Sequence, residues 1–73
     1  MIPLSMVEKG KKVKVLRFRG GKGLEARLQN LGIMQGAVLT VINNSGGPVI
    51  VSRDNSRIVL GKGISHKVIV EYI

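Results

Sequence analysis

Residues Lys11–Phe18 read KKVKVLRF, and this stretch constrains the fold more than any other. Lys12 and Lys14 alternate with Val13 and Val15, the two-residue period of a half-buried strand. The alternation then slips. Leu16 and Phe18 are apolar while Arg17 and Arg19 are polar, so the inward phase moves by one residue between Val15 and Leu16. A β-bulge or sharp bend absorbs such a slip, and strongly bent strands are what small closed barrels use.

Further strands follow. Ala37–Ile42 (AVLTVI) reads as a strand, Asn43–Gly47 (NNSGG) as a turn, and Pro48–Ser52 as the returning arm of a hairpin. Arg53–Ser56 (RDNS) supplies the next turn and Arg57–Leu60 a third arm. Gly61-Lys62-Gly63 interrupts the chain before a last strand at Lys67–Ile73, where Val68 and Val70 alternate with Ile69 and Glu71. Between the first and second strands the period changes. Leu24, Leu28 and Leu31 fall at i, i+4 and i+7, predicting a short helix over about residues 23–31 that Gly32 stops. The expected architecture is all-β, a small barrel of about five strands with one inserted helix, since closure leaves few exposed edges.

With 73 residues the chain has material for one domain, residues 1–73, with one core. It has no cysteine, so disulfides, thiolate metal sites and thiol catalysis are all excluded and packing alone holds the fold. A cytoplasmic location fits that usage. The apolar runs, such as Pro48–Val51 and Val68–Val70, are far shorter than the ~20 residues that cross a bilayer. Met1–Leu4 carries no basic segment ahead of an apolar one, so no secretory signal is expected.

Twelve Lys and Arg against four Asp and Glu give a formal net charge of +8. A field of that sign favours an anionic partner: nucleic acid, a membrane surface or an acidic protein face. The bland reading is solubility and edge protection.

The glycines around Lys22 suggest a phosphate loop. That chemistry requires G-x-x-x-x-G-K-[ST], and Lys22 and Lys62 are each followed by glycine instead. Glycines 20, 21 and 23 therefore read as hinges between strand and helix. Catalysis has little to work with. His66 stands beside Lys67 without a nearby carboxylate in sequence, and Glu8, Glu25, Asp54 and Glu71 form no recognisable acid and base pair, so no catalytic residue and no enzyme activity is expected. One histidine and four scattered carboxylates also make a poor metal site, leaving room for no more than a weak oxygen-ligand contact or one shared with a partner; no cofactor is expected. Phe18 and Tyr72 are the only aromatics, and Phe18 reads as core, which leaves little for stacking bases.

The segment Leu31–Gly36 (LGIMQG), preceded by a helix rich in Leu and Arg and by a Gly-Gly turn, resembles the core motif of the ferrous iron transport protein A (FeoA) family. Leu4 and Gly10 match that family's opening, Gly46-Gly47-Pro48 its hairpin turn, and Arg57–Val70 (RIVLGKGISHKVIV) its closing strands and glycine corner. Gln35 stands where proline is common, and Ser65 where alanine is common. The resemblance implies an SH3-like barrel and a cytoplasmic accessory of ferrous iron uptake. Its partner would be the ferrous iron transporter, a membrane permease with an attached GTPase domain. On this reading Arg17, Arg19, Lys22, Arg27 and the exposed side of Met34, which flank one strand-to-helix junction, form the partner-binding surface. Met34, Ile69 and Ile73 are further candidate contacts.

A rival comes from another class. VKVLRFRGGKG also resembles the opening of the KOW motif of ribosomal and transcription-factor barrels, which would make the chain an RNA-binding component. A KOW motif continues into a second strand, whereas LEARLQNLG has helical spacing.

Overall fold

A computed structural model describes all residues from Met1 to Ile73. Six antiparallel strands make one sheet: β1 (Ile2–Pro3), β2 (Lys12–Phe18), β3 (Val38–Asn43), β4 (Val49–Arg53), β5 (Ser56–Leu60) and β6 (Val68–Tyr72), in the spatial order β1-β6-β2-β3-β4-β5. The sheet curls into the small SH3-like barrel expected. Leu4–Met6 form a 3-10 turn, and two helices, α1 (Lys22–Asn30) and α2 (Lys62–Ser65), are inserted between strands.

The phase slip is a bulge. Val15 pairs with Val70 and Arg17 with Ile69, leaving Leu16 as the extra residue. Val13 and Val15 are buried before it, Phe18 packs on the core after it, and Arg17 stays exposed. A second register shift, between Val41 and Asn43, bends β3 against β4. The turn between β4 and β5 has Asp54 and Asn55 at positive φ, as a two-residue type I′ hairpin demands. These devices wrap the sheet around fourteen buried apolar residues, among them Leu4, Val13, Val15, Leu28, Ile33, Leu39 and Val70.

Four details depart from the sequence expectation. The strands number six because β1, two residues long, is too short to show alternation. The Gly61-Lys62-Gly63 interruption opens a single helical turn, closed by Ser65 N–H to Gly61 O at 2.9 Å and His66 N–H to Lys62 O at 3.0 Å. Ser65, where the family favours alanine, is fully buried, yet its hydroxyl donates to the Lys62 carbonyl at 2.9 Å, so the core accepts it.

The third concerns Leu31. The helix ends at Asn30, and Gly32 adopts φ +89 just beyond it. The Gly32 N–H bonds the Gln29 carbonyl at 2.9 Å and the Ile33 N–H bonds the Leu28 carbonyl at 2.8 Å, the paired bonds of a Schellman ending. That reversal delivers Ile33, not Leu31, to the core beside Leu28; Leu31 is 50% exposed. Ile69 also departs from expectation. It is buried on the face opposite Val68 and Val70, with Pro3 and Arg17 as its cross-strand neighbours, so it is no free contact.

Candidate docking site at the strand to helix junction

β2 ends at Phe18, and the Arg19 N–H then donates to the Lys67 carbonyl at 2.7 Å, joining the exit of β2 to the entry of β6. Gly20 follows. A Cβ there would lie 2.6 Å from Leu24 Cδ2, so any side chain would have to displace the tip of that leucine where the chain turns toward the helix. Gly21 is the N-cap and Lys22 the first helical residue. Of the three glycines read as hinges, Gly20 and Gly21 occupy the junction, whereas Gly23 lies inside the first turn of α1. Gly20 and Gly21 thus serve the architecture of the turn.

The five residues proposed to form the surface at this junction are all exposed. Arg17 stands just past the bulge, Arg19 and Lys22 flank the turn, Arg27 lies further along α1, and Met34 follows the helix ending with 36% exposure. None of the four basic side chains makes a hydrogen bond or ion pair within the chain, where the one salt-bridge contact joins Arg53 to Asp54. Unpaired and hydrated, they are available to a partner.

Only Arg19 of that set lines a cleft. The depression, of about 220 Å³, is walled by Arg19, His66 and Lys67 and has no carboxylate in its lining. His66 and Lys67 are additions that sequence spacing did not assign, because only the pairing of β2 with β6 brings them to Arg19. His66 Nδ1 shares a 3.0 Å hydrogen bond with the Ser5 hydroxyl. The Ser5 carbonyl in turn accepts from Asn44 Nδ2 at 2.9 Å, and the same amide donates to the Val7 carbonyl at 2.8 Å. The 3-10 turn thereby links the end of β3 to the histidine.

This arrangement suits ionic and hydrogen-bonded recognition of an anionic group. His66 and the four carboxylates nowhere gather three potential metal ligands in one place. No helix is long and apolar enough to cross a membrane. A second cleft, of about 290 Å³, lies between the end of α1 and the β4–β5 hairpin, where Leu31 and Ile58 meet Arg53 and Asp54.

Comparison with known proteins agrees with this architecture. The FeoA domain model matches residues 2–72. A curated relative from Methanocaldococcus jannaschii, whose name assigns it provisionally to Fe(2+) transport as protein A, is 41% identical over 71 residues, covering 97% of this chain and 87% of its own. A crystal structure of an iron uptake regulatory protein (FeoA) superposes with a TM-score of 0.89 at 33% identity, covering 99% of this chain and 96% of that one. A manganese-dependent transcriptional repressor shares the fold, with a TM-score of 0.86 at 19% identity over 97% of this chain and 41% of the repressor. With nearly its whole length matched in sequence and in structure, the chain belongs to the FeoA domain family.

Proposed function

We propose that this chain is a small cytoplasmic accessory of ferrous iron uptake, acting by docking on the ferrous iron transporter at its GTPase-bearing cytosolic part. The observation that carries the reading is the family match over residues 2–72, joined to a relative whose name refers to Fe(2+) transport. The surface offers a means. A strand-to-helix junction with exposed, unpaired Arg17, Arg19, Lys22 and Arg27 gives a partner an oriented positive face, and charge complementarity speeds and orients docking. Iron is the cargo of this system, and the role proposed for this chain is to contact the machinery that moves it.

The RNA-binding alternative loses its structural support, because the segment that would form the second strand of a KOW motif is α1. The test is a titration of the full chain against the isolated cytosolic domain of the transporter, with and without guanine nucleotide. Saturable binding, weakened when Arg19 and Arg27 are reversed to Glu, is the expected result. Unchanged affinity in that variant removes the junction as the surface, and no binding in either nucleotide state overturns the accessory role.

A further inference from the structure

Two Gly-Lys-Gly triplets, residues 21–23 and 61–63, occupy the same local position in the fold. In each the first glycine is a helix N-cap, the lysine is the first helical residue and the second glycine follows within the first turn. None of the four glycines has a positive φ, and a Cβ at any of them would meet nothing within 4 Å. Gly21 and Gly61 suit their N-cap positions, but packing gives no reason for glycine at positions 23 and 63, inside the helical turns, where it lowers propensity. Both triplets lie within a few residues of the Arg19–Lys67 backbone bond, one after Arg19 and one before Lys67. Along the chain they therefore bracket the residues of the Arg19, His66 and Lys67 cleft with exposed glycines and exposed lysines.

From this juxtaposition we infer that the cleft and the two bare turns form a binding site for an acidic, extended segment of a partner protein. A carboxylate seats among Arg19, His66 and Lys67, and the segment's main chain passes close over the glycines. The Ser5 hydroxyl engages His66 Nδ1 and so leaves Nε2 as the ring nitrogen that meets the ligand. Absent side chains are what close backbone approach requires. An acidic protein segment suits the site better than nucleic acid, because Phe18 packs on the core and neither aromatic lines the cleft for base stacking. The inference rests on reading the chain as a docking module, and it specifies the chemistry of what docks.

The test uses the isotopically labelled full chain, a capped peptide of alternating glutamate pairs and glycines, and inorganic phosphate at matched ionic strength. Amide shifts should saturate with the peptide and concentrate at Arg19–Gly23 and Gly61–Lys67. The paired variant Arg19→Ser with Lys67→Ser should lose at least about tenfold in affinity, as expected for contacts to a bound charge, while Lys9→Ser with Lys11→Ser, an equal loss of charge elsewhere, should lose less than about threefold. Gly23→Ala with Gly63→Ala should weaken binding without lowering the unfolding temperature, since alanine suits a helix better than glycine. Equal losses in the two charge variants, full affinity in the glycine variant, or phosphate binding as tightly as the peptide would each overturn the inference. Because the probe is a peptide, its binding is independent of whether the transporter is the partner.

Discussion

Arg53 Nη1 donates to the Gly32 carbonyl at 2.7 Å, tying the β4–β5 hairpin to the residue that terminates α1. The two positions are also sterically matched, for a Cβ on Gly32 would lie 2.9 Å from that same Nη1. Gly32 thus has two reasons to be glycine: the left-handed φ of the helix ending and the arginine above it.

Gly32→Ala is therefore expected to cost about 1–3 kcal/mol, from a left-handed conformation that L side chains resist and from displacement of the guanidinium. Arg53→Met removes the bond to the carbonyl and should cost about 1 kcal/mol. The double variant should be less destabilised than the sum, because the methionine is flexible and the alanine no longer evicts a bonded partner. Urea denaturation of the four proteins checks the cycle; strict additivity would dissociate the two positions.

The bulge at Leu16 makes an opposite pair of predictions for adjacent residues. Strict alternation from Val13 and Val15 would turn Arg17 inward and Phe18 outward, whereas the observed register leaves Arg17 exposed and sets Phe18 against the core. Arg17→Ser should change stability by less than about 0.5 kcal/mol, the usual range for surface substitutions. Phe18→Ser should cost about 1–3 kcal/mol for a large apolar side chain that is only partly buried. Similar losses at both positions would mean that the bulge is misplaced.

A third contrast concerns the helix. Leu28→Ala removes a fully packed side chain and is expected to cost about 2–4 kcal/mol, within the range for buried leucines. Leu31→Ala, at a half-exposed position past the last helical residue, should cost less than about 1 kcal/mol. Thermal unfolding separates the two readily, since in a domain of this size each kcal/mol shifts the midpoint by roughly 4–8 °C.

That contrast also marks what was legible in the sequence. The bent first strand, the hairpin turns and the existence of α1 could be read because local alternation, turn residues and helical spacing all point one way. Leu31 misled because periodicity counts apolar residues without knowing where the backbone reverses, and the reversal at Gly32 hands the core position to Ile33. β1 and α2 were too short to carry a period. At the candidate site, Arg17, Arg19, Lys22 and Arg27 are close in sequence, so their grouping at one junction is legible there. The approach of His66 and Lys67 to Arg19 is not, because it depends on β2–β6 pairing, which no local pattern encodes.

The last prediction concerns Asn44, which joins that cleft to the rest of the barrel. Its Nδ2 donates to the Ser5 and Val7 carbonyls, and the Ser5 hydroxyl holds His66, so one amide at the end of β3 positions a ring beyond the 3-10 turn. Asn44→Ala removes both amide bonds and should destabilise the fold by about 1–2 kcal/mol, given a net worth of about 1 kcal/mol per bond and partial access to water. It should also loosen the Ser5–His66 contact, seen as a shift of the His66 ring resonances and faster amide exchange at Val7, whose N–H bonds the Leu4 carbonyl at 3.1 Å. Ser5→Ala should reproduce the ring shift with a smaller loss of stability, because it removes only the side-chain link to the histidine. If Asn44→Ala leaves the His66 resonances unmoved while Ser5→Ala shifts them, the 3-10 turn holds its shape without the asparagine, and positioning of the histidine belongs to Ser5 alone.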